Sequence, residues 1–174
     1  MIAMTTSERT EPSGTASERE MLEGWLEYHR RTLELKCAGL DDEQLRERSV
    51  PPSEISLLGL VRHMTEVERG WFRNTLAGEN AGYLYSDEDE DGDGDFHPTE
   101  KDTYAEAYAA WQAEIVRARE LAAAHGLDDI GKGEHGGGVT FSLRWILTHM
   151  IEEYARHNGH ADLVRERIDG ATGD

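Results

Sequence analysis

The chain has 174 residues, with 36 Asp+Glu against 18 Lys+Arg for a formal charge of −18, 37% hydrophobic residues and a single Cys. That length suits one domain able to bury a core, and one Cys excludes an internal disulfide framework and favours a reducing, cytoplasmic setting. The acid excess argues against nucleic acid or an anionic membrane surface as a partner, because both need clustered Lys and Arg, and no apolar run approaches the ~20 residues of a membrane span.

Residues 1–16 are rich in Thr, Ser, Glu and Pro, carry no apolar signal-peptide core, and are expected to form a disordered tail ahead of a single domain over 17–170. The first helical pattern opens on Ser17-Glu18-Arg19-Glu20, a capping box, and sets Met21, Leu22, Trp25, Leu26, Leu33 and Cys37 on one face. His29 lies on the same side, a candidate lining residue for anything held at the centre. The second pattern, about 56–76, carries Leu57, Leu60, Val61, Met64, Val67 and Trp71 as its stripe. An acidic run, SDEDEDGDGD over 86–95, follows with seven acids and reads as a solvated loop. Asp87, Asp89, Asp91 and Gly92 imitate the start of an EF-hand loop, but Pro98 stands where the bidentate Glu belongs, so an ordinary acidic loop is the better reading. The third pattern, about 102–124, offers Tyr104, Tyr108, Trp111, Ile115 and Leu121, and 126–138 then holds six glycines and must be irregular. The fourth begins at 140–142 and continues to about 168, with Leu143, Ile146, Leu147, Met150, Ile151, Tyr154, Ala161 and Val164. Sustained strand alternation is absent. Four amphipathic segments joined by loops predict an all-α four-helix bundle. Gly159 inside the last helix suggests close packing or space left for something.

The chemistry concentrates on that last helix. At about 100° per residue, His149, Glu153 and His157 drift only about 40° per step, and His160 returns to within about 20° of Glu153. Three imidazoles and a carboxylate therefore share a stripe where a core would carry Leu or Val, so they must be paired or bind something. Two neighbours one turn apart can chelate a metal ion, and His63, beside the apolar positions of the second helix, is the natural third ligand. Such a donor set suits Zn²⁺, Ni²⁺, Fe²⁺ or Mn²⁺ and leaves positions open for water or substrate. The competing reading is a set of satisfied core and surface histidines, since spacings of three and four also arise by chance.

LLGLVRHMTEVERGWF at 57–72, together with LRWILTHMIEEYARHNGHADLVRERIDGATG at 143–173, resembles the DinB-like superfamily, in particular the branch near the mycothiol-dependent maleylpyruvate isomerases. The resemblance covers nearly all of the chain after the tail, including GLDDEQLRERSVPPSEISLLGL at 39–60. It implies helices running up, down, down, up and a divalent ion, zinc foremost, held by His63, Glu153 and His157. His149 and His160 then become neighbours of the centre. It also implies a thiol-dependent S-transferase or isomerase using mycothiol or another low-molecular-weight thiol on a small-molecule substrate, the metal activating the thiolate. Arg144 and Arg156 are candidate anion contacts on that reading, with surface charge as the plainer alternative. A non-catalytic bundle in which the metal only braces two helices is the second reading, and the sequence is compatible with a homodimer. Cys37, on the apolar stripe of the first helix, reads as core and not as a nucleophile. His97, His125 and His135 fall in loops and read as exposed.

Overall fold

Every long helix begins on a hydroxyl side chain that caps it. Ser17, Ser56, Thr103 and Ser142 accept hydrogen bonds from the backbone N–H groups of Glu20, Gly59, Glu106 and Trp145, and Ser17 and Glu20 complete the expected capping box. The computed structural model describes residues 9–85, 92–133 and 138–173. Within them the chain is all-α: α1 (Glu18–Cys37), a short α2 (Asp42–Arg46), α3 (Leu57–Glu68) continued by a π-helical segment (Arg69–Leu76), a 3₁₀ turn (Gly94–Phe96), α4 (Tyr104–Ala123) and α5 (Leu143–Asp169). No strand forms among the described residues; a short antiparallel bridge joins Ile130 and Ser142 ahead of α5. No described helix is long and apolar enough to cross a membrane.

Side-chain pairings fix the directions. Arg144, Asn158 and Arg165 of α5 bond in turn to Glu18, the His29 carbonyl and the Lys36 carbonyl, so α5 runs parallel to α1. Arg62 pairs with Asp102, just ahead of α4, and Arg69 and Arg73 pair with Glu114, so α4 runs parallel to α3. His63 faces His157 whereas Trp71 faces His149 and Trp145, which makes α3 and α5 antiparallel. The four long elements therefore run up, down, down, up. Their core contains Leu26, Leu33 and Cys37 of α1, Leu60, Val61, Met64 and Phe72 of the second, Trp111 and Ile115 of α4, and Ile146, Met150, Tyr154 and Ala161 of α5.

Within that core lies a fully buried polar network contributed by all four long elements. The Arg30 guanidinium grips the Glu68 carboxylate through Nε at 2.8 Å and Nη2 at 2.7 Å. The Tyr154 hydroxyl donates to Glu68 at 2.7 Å, and the Trp111 indole donates to the Tyr154 oxygen at 2.8 Å. Burial beside the Glu68 carboxylate pushes the Tyr154 phenol well above its ordinary pKa, so it stays a donor.

Several expectations change. Residues 9–16 were expected to be part of a disordered tail but lie along α1: Arg9 sits over the Tyr28 ring, and Pro12 lies so close that a Cβ on Gly24 would approach it to 2.7 Å. Residues 1–8 of that tail, positions 86–91 with most of the EF-hand-like start, and His135 are outside the described residues. Met21 is exposed and not core. Gly159 is not a packing contact, because a Cβ there would meet nothing within 4 Å. The glycines that matter for packing are in the loop before α5, where a Cβ at Gly131 or Gly133 would collide with the Thr75 and Asn74 carbonyls. At that contact the Lys132 and Gly133 amides cap the Leu76 and Thr75 carbonyls at the end of the π-helical segment.

Candidate metal centre

The antiparallel contact of α3 with α5 brings His63 opposite Glu153 and His157. One ligand atom from each lies within 4.8 Å of the other two. A tetrahedral site with bonds of ~2.0–2.1 Å needs donors about 3.3–3.5 Å apart, so small side-chain adjustments suffice. Nothing in the donor set opposes a divalent ion: two imidazoles and one carboxylate give one formal negative charge, the combination that open zinc sites use.

Each imidazole has one nitrogen already committed. His63 Nδ1–H donates to the Asp95 carboxylate at 2.8 Å, which leaves Nε2 as the ring nitrogen that can face a metal. His157 Nδ1 lies 3.3 Å from His160 Nδ1, while His157 Nε2 lies 3.5 Å from the Glu153 carboxylate. Burial and the neighbouring His63, His160 and Arg156 push the His157 pKa down to about 3, which leaves a neutral imidazole suited to ligation. The other Glu153 oxygen lies 3.3 Å from His149 Nε2. His149 itself stacks on Trp145 and meets the edge of Trp71, at 4.9 and 4.6 Å between ring centres. His63 and Glu153 keep 20% and 18% of their side chains exposed, so the centre opens to solvent on one side.

Asp95 corrects the reading of the acidic run as a solvated loop. It is 5% exposed, and the 3₁₀ turn that carries it is clamped onto α3. Arg62 donates to the Gly94 carbonyl at 3.0 Å, the Phe96 ring stacks on His63 at 4.2 Å, and only a glycine fits at position 59, where a Cβ would stand 2.7 Å from the Phe96 carbonyl oxygen. The local signal for this docking was Phe96 itself, an apolar residue ending a run of acids.

The remaining candidates are dispersed. His149 and His160 touch the ligand side chains as described. His29 faces α1's partner helix, where Asn158 donates to its backbone carbonyl at 3.0 Å, and burial lowers its pKa. Arg144 is bound to Glu18 and Asp128 at the start of α5, nine residues or about 13 Å of helix from Glu153, so it makes no anion contact at this centre. Arg156 is exposed and paired with Glu152 at 2.6 Å, as its surface-charge reading expects. Cys37 is buried and its thiol is pushed up to about 12, as a core thiol should be.

No curated protein matches the chain. The family model of mycothiol-S-transferase matches residues 21–170, which span α1 to the end of α5 and hold every residue of the centre. By that match the chain belongs to the mycothiol-S-transferase family.

Proposed function

We propose that the protein is a divalent-metal-dependent S-transferase that joins a mycothiol-type thiol to a small electrophile, with His63, Glu153 and His157 as metal ligands. The observation that carries the reading is the convergence of those three donors from α3 and α5, each imidazole already oriented through its other nitrogen. Zinc is the foremost ion for this donor set, with nickel, iron and manganese also accommodated. A bound ion supplies Lewis acidity that lowers a thiol pKa and presents the thiolate at neutral pH.

The chain's own residues do the rest. Asp95 holds His63 in the tautomer that offers Nε2, and the contact of His160 with His157 Nδ1 orients the second ring. His149 engages the second Glu153 oxygen and fixes that carboxylate's rotation. Phe96 stacks on His63, Trp71 packs on His149, and the partly exposed His63 and Glu153 leave the centre open to a thiol. A bracing role for the metal has less to recommend it, because Tyr154 and Glu68 already tie α5 to α3 at 2.7 Å without an ion.

The test is a titration of mycothiol into cobalt-substituted protein. Thiolate ligation should bring in a sulfur-to-cobalt charge-transfer band that saturates. A spectrum unchanged at millimolar thiol would leave only the bracing role.

A further inference from the structure

The face of α3 that carries His63 continues beyond it as a groove. Val67 and Gly70 follow His63 at four and seven residues, the spacing of one helix face, and with Asn74 they line a cavity of about 480 Å³ closed by Lys132 and Gly133. That volume falls within the roughly 300–1,000 Å³ of small-molecule sites. Gly70 leaves the floor open, since a Cβ there would meet nothing within 4 Å. Trp71 forms the wall toward the metal centre, its ring 4.6 Å from that of His149.

The polar groups of this groove are unevenly satisfied. Glu66, 9% exposed, accepts the Leu84 and Tyr85 amides on Oε1, both at 2.6 Å. Its Oε2 is buried and has no hydrogen-bond partner among the described residues. Lys132 and Tyr83 stand exposed at the rim and offer an ammonium and a phenol.

We propose that the groove seats a polyhydroxylated body, and that in the transferase it holds the amino-sugar and inositol part of the thiol while the sulfur reaches the His63/Glu153/His157 centre. The second clause rests on the function proposed above; the first does not. Lys132 and Tyr83 donate to ligand hydroxyl oxygens, and a sugar C–H face lies against Trp71. A site built to bond hydroxyls discriminates against a ligand that lacks them.

Calorimetry on the metal-loaded protein separates the parts, with mycothiol, N-acetylcysteine and the cysteine-free glucosaminyl-inositol as probes. Wild type should bind mycothiol at least about tenfold tighter than N-acetylcysteine, a difference of about 1.4 kcal/mol. Gly70→Leu, which fills the groove, should erase that advantage and abolish glucosaminyl-inositol binding, with metal content and N-acetylcysteine affinity unchanged. The exposed Lys132→Ala, safe for folding, should weaken both polyols about threefold or more. Unaltered mycothiol affinity in both variants, or equal weakening of mycothiol and N-acetylcysteine, overturns the groove. If neither thiol binds wild type but glucosaminyl-inositol does, the transferase reading falls and the groove stands; if glucosaminyl-inositol also fails to bind, the groove falls with it.

Discussion

Replacing Glu68 with Ala removes the acceptor of the buried network and leaves Arg30, 4% exposed, with only Glu27 at its outer edge. The loss comprises two charge-assisted bonds at 2.8 and 2.7 Å and the Tyr154 donor bond at 2.7 Å. Breaking one side of a buried ion pair costs about 3–5 kcal/mol, mostly as the penalty of stranding the remaining charge. At about 2–4 °C per kcal/mol for a chain of this size, the melting temperature should fall by roughly 6–20 °C. The Arg30→Met/Glu68→Leu double variant strands no charge, so it should recover at least half of the loss. Thermal melts by circular dichroism of wild type, Arg30→Met, Glu68→Leu and the double variant close the cycle, with Glu68→Ala measured beside them. Strictly additive losses, or a drop of less than about 1 kcal/mol for Glu68→Ala, would show that the network does not hold the four helices together.

Three further predictions follow from the centre and the core. In the metal-free protein, the His157 pKa of about 3 lies below that of an unfolded histidine, near 6.5. The unfolded chain therefore binds the extra proton first, and stability should decline as pH falls from 6.5 toward 3, by up to about 1.4 kcal/mol per unit. A His157→Gln variant should lose that part of the slope in denaturant titrations across pH. Asp95→Asn should weaken metal affinity about 10–100-fold in a chelator competition, the usual cost of losing a carboxylate behind a ligating histidine; unchanged affinity would deny Asp95 its orienting role. Cys37 should resist a thiol reagent in the folded state and react on unfolding, and prompt labelling of native protein would contradict its burial.

Much of the fold lay in the sequence because apolar spacing and hydroxyl caps are local signals. Ser17, Ser56, Thr103 and Ser142 stand one residue ahead of their helices, and the stripes they introduce are the faces that pack. The buried network was legible in part. Arg30 shares the phase of Leu26, Leu33 and Cys37, and Glu68 the phase of Val61, Met64 and Phe72, so each is a charge on an apolar face. Only the tertiary pairing tells that the two meet. Only its neighbour Phe96 sets Asp95 apart from the six other acids of its run; its role depends on a glycine at 59 that lets the turn approach α3. The π-helical segment is a backbone event, sustained by amides from the loop before α5, and the side-chain pattern does not encode it. The residues of the candidate centre were nameable from the stripe on the last helix and from the family pattern. Their convergence required the antiparallel contact of α3 with α5.

The triad is tested most directly by the metal content of protein purified without added metal. Wild type should carry about one divalent ion per chain, and His63→Ala, Glu153→Ala and His157→Ala should each reduce it to a small fraction while the helical circular dichroism remains. A full equivalent of metal retained by any of the three would contradict the triad.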